Sequence, residues 1–209
     1  MAEPTHKPLR PQRLTAKGAA TRERIVRAAA ELMHTQGVER TSLDDVIAVS
    51  GTGRSQLYHY FADKAAIVDA VVEFQIEQVL GAQEELLRNA DSMNGLTRWR
   101  DAVVAHNRSL KGAHGCPLGS LASALSDSSE ITRQAIARGF DRWEGALRTG
   151  LQHMRQTGAL AQEADPATLA TGLLAALQGG YLLAQARRDA TSIQVALDTA
   201  LDHIRSFTR

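Results

Sequence analysis

Cysteine occurs once in this chain of 209 residues, so no internal disulfide can form, and the sequence suits a reducing compartment such as the cytoplasm. Aromatic residues are scarce, with four Phe, three Tyr and two Trp. Alanine and leucine are abundant instead, which favours helix throughout. Prolines number five, and three of them (Pro4, Pro8, Pro11) fall near the N-terminus. Those three argue against a helix there and leave the remainder free to form long helices. No run of about 18 apolar residues stands out, so no transmembrane helix is expected and no membrane partner is implied. The N-terminus has no apolar h-region and is not read as a secretory signal. The seven histidines are scattered, and H-E-x-x-H, C-x-x-C, the G-x-S-x-G elbow and a phosphate loop are all missing. No metal, cofactor or catalytic residue is therefore nominated.

Charge is unevenly placed. Residues 1–27 hold seven Lys/Arg against Glu3 and Glu23, a net of +5, which leaves −4 on the rest of a chain whose total is +1. A basic end on a mildly acidic body suits contact with a polyanion. The alternative is a solvated tail. Residues 1–19 are read as a flexible basic arm.

Residues 41–64, TSLDDVIAVSGTGRSQLYHYFADK, carry the most information. Thr41 or Ser42 is a good N-cap, with Asp44 and Asp45 placed three residues on to close a capping box. Leu43, Val46 and Ile47 repeat at helical spacing up to Ser50, and Gly51-Thr52-Gly53 interrupts them. A second helix starts near Arg54 and turns Leu57 and Phe61 inward. Arg54, Ser55, Gln56, Tyr58, His59 and Tyr60 are left outward. This is the pattern of a helix-turn-helix whose second helix enters the DNA major groove.

The stretch closely resembles the DNA-binding domain of the tetracycline-repressor (TetR) family of bacterial transcription regulators. The features that carry the resemblance are Thr41-Ser42, Asp44-Asp45, Gly51, Leu57-Tyr58-His59-Tyr60-Phe61 and Lys64. Two positions depart from the family pattern. Ile47 stands where a small alanine commonly faces the recognition helix, and Gly53 where a serine often caps it. The resemblance implies an all-α protein of nine helices. Its three-helix DNA-binding head would span residues 20–66, and a ligand-binding and dimerisation body residues 67–209. It implies phosphate contacts from the arm, Thr41, Ser42 and Lys64. Arg54, Ser55 and Gln56 would read base edges, with Gly53, Tyr58, His59 and Tyr60 completing the interface.

Elsewhere the periodicity predicts helices over 21–36, 63–90, 95–110, 117–126, 127–156, 165–188 and 192–207. Asp63 caps the first helix after the head, and Asp127 with Glu130 opens the helix reaching Gln156. The last two helices are apolar over a wide surface, with Leu169, Leu173, Leu177, Leu182 and Leu183 on one and Ile193, Leu197 and Ile204 on the other. That surface would serve a homodimer, or be buried within one monomer. Gly179-Gly180, mid-helix, is explained by a close helix approach.

Gly115-Cys116-Pro117-Leu118-Gly119 resembles a segment in one subgroup of TetR regulators. Cys116 would precede a helix start, where the dipole favours a thiolate and hence an electrophile or oxidant sensor. The alternative is a small buried hydrophobe. Trp99, His106, Cys116, Phe140, Trp143 and Tyr181, with His153 and Met154, are the candidates for a cavity that holds an unknown small-molecule effector. The expected function is a ligand-responsive regulator, a repressor that releases a palindromic double-stranded operator when the effector binds. An all-helical cytosolic enzyme and an interaction protein without DNA remain as alternatives.

Overall fold

A computed structural model describes residues 15–127 and 129–208. The segment 1–14, with Lys7, Arg10 and Arg13 of the expected basic arm, lies outside the described residues. Helix α1 (Ala16–Gln36) begins earlier than its apolar pattern suggests, because Thr15 caps it by accepting the Gly18 N–H at 3.1 Å. Residues 15–19 are therefore cap and first turn rather than arm. Gly37 ends α1 at φ 93, where a side chain would be strained.

Helices α2 (Leu43–Ser50) and α3 (Arg54–Tyr60) follow, and then α4 (Lys64–Gly81). The expected single helix to residue 90 breaks after Gly81. The break occurs at Ala82-Gln83, and a short α5 (Glu84–Arg88) restarts with Glu84 and Glu85 in its first turn, where the helix dipole favours them. Gln83 is held in the break. Its Nε2 donates to the Val79 carbonyl at 3.3 Å, and its Oε1 accepts from the Trp99 indole at 2.8 Å. The described residues thus hold ten helices rather than nine.

The body continues with α6 (Met93–Ser109), α7 (Pro117–Leu125), α8 (Glu130–Gln156), α9 (Pro166–Arg187) and α10 (Thr191–Arg205). Ser129, not Asp127, caps α8, accepting the Thr132 N–H at 3.1 Å. Asp165 caps α9 and Pro166 opens it, as the sequence predicts.

One hydrophobic cluster runs from Ile25 and Leu57 in the first three helices to Leu197 and Ile204 in the last. The head and body share this core through α4, whose Ile67, Val68, Val71, Val72 and Ile76 are all buried. A head this small is marginal alone, so this continuity is what holds the short α2 and α3 in place. By length and composition α9 could cross a membrane, which corrects the expectation drawn from apolar runs. Its apolar character has another cause here. It packs against both α8 and α10, and Leu169, Leu173, Leu174 and Leu177 are buried there.

The two mid-helix glycines differ. A Cβ on Gly180 would sit 2.9 Å from Ile193 Cα, so its absence lets α10 close onto α9. Gly179 meets nothing within 4 Å and faces outward.

Candidate nucleic-acid interface and effector cavity

Helix α2, the first of the helix-turn-helix pair, is pinned at both ends. Ser42 Oγ accepts the Asp45 N–H at 3.1 Å, and the Asp45 carboxylate accepts the Ser42 N–H at 2.9 Å, a complete capping box. The Ser42 hydroxyl, donating to the same carboxylate at 2.6 Å, and then the Ser42 N–H hold the Asp45 carboxyl below its ordinary range. At the other end, the Arg24 guanidinium donates to the Ser50 carbonyl at 2.9 Å, a cation where the helix dipole favours one. Gly51 then turns the chain in the left-handed region, and the Ser50 and Thr52 hydroxyls share a buried 2.7 Å hydrogen bond.

Thr41 does not belong to the exposed face, contrary to the sequence expectation. It is 1% exposed, and its hydroxyl donates to the Gly37 carbonyl at 2.9 Å. It ties the α1–α2 turn and cannot meet a phosphate without unfolding that turn. Ser42 is exposed beside it.

Leu57 and Phe61 turn inward from α3 as the spacing predicts, at 0% and 3% exposure. Gly53 offers no side-chain cap. Gln56 supplies the other half of a capping box, its Oε1 accepting the Gly53 N–H at 3.2 Å. Arg54 lies on Asp44 of α2 at 2.5 Å, with both side chains well exposed. Ser55, Gln56, Tyr58 and His59 are exposed. Tyr60 is only half-buried, packed partly on the core, with its ring edge-on to His59 at 4.9 Å between centroids. It is less outward than the sequence suggests, because its ring packs partly against the hydrophobic core. Lys64 Nζ donates to the Glu39 carbonyl at 3.3 Å, and Asp63 caps α4 by accepting the Ala66 N–H at 2.8 Å.

In the body, a cavity of about 310 Å³ lies among α4, α6 and α8, with Tyr181 of α9 and the start of α7. Four of the sequence candidates meet there: His106, Cys116, Trp143 and Tyr181. The others do not. Trp99 is fully buried behind the wall, donating to Gln83, which does line the cavity. Phe140 lines a neighbouring cavity of about 570 Å³, which shares Cys116 and Tyr181 with the first. His153 borders a separate surface groove, and Met154 is core. Gln75, Gln78 and Gln83 line the effector-sized cavity but are not among the residues that the sequence nominates. The signal for them is a set of glutamines interrupting the apolar stripe of α4 and its extension.

Cys116 caps α7 and receives the Gly119 N–H at 3.5 Å and the Gln178 amide at 3.7 Å. Burial is the larger effect and pushes its thiol up, so the helix start does not yield a thiolate at neutral pH. The Tyr181 hydroxyl is likewise pushed up by burial and then by Cys116. Trp143 is 1% exposed, and its indole N–H has no acceptor among the described residues.

Comparison with known proteins agrees with this geometry. Residues 25–71 match the family described as bacterial regulatory proteins, tetR family, and residues 93–200 match the tetracyclin repressor-like C-terminal domain. An HTH-type transcriptional regulator of Mycobacterium tuberculosis is 30% identical over 182 residues, covering 83% of this chain and 89% of that protein. The HTH-type transcriptional regulator LmrA of Bacillus subtilis is 28% identical over 184 residues, covering 83% and 90%. Among solved structures, a TetR transcriptional regulator from Chloroflexus aurantiacus superposes with a TM-score of 0.79 at 24% identity, covering 93% of this chain and 99% of that one. With both the head and the body matched, the chain belongs to the TetR family of helix-turn-helix transcriptional regulators.

Proposed function

We propose that this regulator is a homodimeric, cytoplasmic repressor that leaves a palindromic operator when a small molecule fills the 310 Å³ cavity. The observation that carries this reading is the place of α4. It starts at Lys64, directly after the recognition helix, and its Gln75, Gln78 and Val79 line the cavity. A ligand there touches the same rigid rod that carries the head. Division into a head (20–66) and a body (67–209) then falls within the first turn of α4.

In this reading Arg54, Ser55 and Gln56 read base edges in the major groove. Ser42, Tyr58, His59, Lys64 and the N–H groups from Gly53 onward hold phosphates, with Tyr60 as a supporting contact. Two-fold symmetry supplies the second head, with half-sites about 34–36 Å apart. The partner surface is the outward side of α9, where Gly172, Ala175, Gly179 and Leu182 are exposed in helical register, with Val195 of α10 beside them. Small residues there permit a second α9 to approach closely. Leu182 at 67% and Val195 at 58% exposure are large apolar groups that an interface would cover.

The test is operator binding followed by anisotropy across a salt titration, using duplexes selected from random DNA. Binding must weaken steeply with salt, with a slope that falls when Lys64 is replaced by alanine. Leu182→Glu is expected to yield monomers in analytical ultracentrifugation and to abolish tight operator binding. A salt-insensitive interaction, or a dimer unaffected by Leu182→Glu, overturns the respective part of the proposal.

A further inference from the structure

Resting on the reading of the cavity as the effector site, we infer that the effector is an uncharged, largely apolar molecule that carries a hydrogen-bond acceptor, and that the Trp143 indole N–H binds this acceptor. Two indoles are buried in this body, and they differ in one respect. Trp99 donates to Gln83 at 2.8 Å, whereas Trp143 donates to nothing among the described residues. Buried indole N–H groups are nearly always partnered, so an orphan in the wall of a cavity marks a place for an incoming acceptor. Gln83 does not serve Trp143: its Oε1 accepts from Trp99 and its Nε2 donates to the Val79 carbonyl, and the Trp143 N–H finds no acceptor among the described residues.

Charge sets the class. Among the described residues, the cavity lining contains no Asp, Glu, Lys or Arg. His106 is exposed, and burial keeps Cys116 and Tyr181 neutral at physiological pH. A carboxylate or ammonium entering this space would lose its hydration with no counter-charge to replace it. A neutral carbonyl or ether oxygen loses far less and gains the indole donor. Beside Gln75, Gln78 and Gln83, the wall is made by Val79, Ala82, Leu86, Ala102, Val103 and Pro117, which favours an apolar skeleton.

Three isosteric probes separate these statements: 2-acetylnaphthalene, with a neutral acceptor; 2-isopropenylnaphthalene, without one; and 2-naphthoate, an anion. They are titrated into the ¹⁵N-labelled full-length protein while the two indole N–H resonances are followed. The ketone is expected to move the Trp143 resonance downfield, and the alkene to bind without that shift. The naphthoate is expected to bind at least about tenfold more weakly than the ketone. Trp143→Phe keeps an aromatic ring and removes the donor, and it should weaken the ketone about tenfold more than the alkene, equivalent to about 1.4 kcal/mol. The wild-type spectra decide the matter even if that variant folds poorly. Naphthoate binding as tight as the ketone, a ketone that leaves the Trp143 resonance in place, or no ketone binding overturns the inference. Operator release is measured in parallel. The expected binding pattern with DNA retained upholds the ligand class and rejects the effector reading of the cavity.

Discussion

Gly139 of α8 lies against Ile76 of α4 so closely that a Cβ on the glycine would stand 2.6 Å from Ile76 Cγ1. Ile76 is 2% exposed and Leu118, the next neighbour, is fully buried, so neither can move aside freely. This is where the rod that carries the DNA-binding head is clamped to the body. Polar pairs on the same two helices fix the register on either side: Thr132 with Asp69 at 3.0 Å and Arg142 with Glu77 at 2.7 Å.

Gly139→Ala should therefore destabilise the fold by roughly 1–3 kcal/mol through overpacking. It should also change operator affinity, although the position is remote from α3. Urea unfolding and operator anisotropy measure the two effects. An alanine accepted without loss in either would mean that α4 slides on α8 rather than being clamped.

The joint between head and body has its own pH dependence. The His34 ring of α1 lies 5.6 Å from that of His114 in the α6–α7 loop, and its Nδ1 is buried without a partner among the described residues. Burial, and then the neighbouring His114, hold the His34 imidazole below its ordinary value of 6.5. Arg40, the charged residue in the lining of the adjoining pocket, adds no opposite charge. The unfolded chain takes up its proton first as the pH falls. Stability is therefore full above pH 6.5 and declines as the pH drops through the lower folded-state value. His34→Gln should flatten that decline, as followed by urea midpoints between neutral and mildly acidic pH. An unchanged slope would place the acid sensitivity elsewhere.

The caps Asp63 and Asp165, the turn glycine and the inward pair Leu57 and Phe61 were legible in the sequence, because each is a local signal with a fixed spacing. The ladder of helices was nearly as legible. What spacing cannot carry is competition between neighbours. The break at Ala82-Gln83 depends on Trp99, sixteen residues on, holding the Gln83 side chain. Thr41 and Ser42 are both good caps by type, and only the Gly37 carbonyl distinguishes them by drawing the Thr41 hydroxyl inward. Of the aromatic candidates in the body, Trp99 and Trp143 look alike in the sequence. They differ in that Gln83 accepts from Trp99 and not from Trp143.

Cys116 illustrates a competition of the same kind, between helix dipole and desolvation, and desolvation is the larger. The thiol should react with iodoacetamide far more slowly than a free cysteine at pH 7.5 or so, and should accelerate in denaturant. Mass spectrometry of quenched time points gives both rates. Labelling at the rate of an exposed thiol in the folded protein would restore the sensor reading. DNA release by the same reagent from wild type, and not from Cys116→Ser, would add to it.

The last prediction concerns two of the side chains proposed to read bases, both of which are occupied in the free protein. Gln56 accepts the Gly53 N–H, and Arg54 rests on Asp44. An amide reading adenine N6 and N7, or a guanidinium reading guanine O6 and N7, must leave those partners first. The Asp44–Arg54 pair is exposed, and such pairs are worth about 0–1 kcal/mol, so Arg54 can exchange it for a base at little cost. Gln56 has more to lose, because its bond substitutes for the cap that Gly53 lacks. A phosphate placed on the Gly53 N–H would release the glutamine at the moment of docking. Gln56→Ala should then relax preference at one base pair per half-site, a discrimination of roughly 1–3 kcal/mol. It should also shorten or fray α3 in the free protein. Arg54→Ala should relax a different position and leave the helix intact. Selection from random DNA by wild type and both variants, with helix content followed by circular dichroism, separates the two roles. If Gln56→Ala selects the wild-type motif and loses helix, the glutamine is a cap alone, and base reading rests on Arg54 and Ser55.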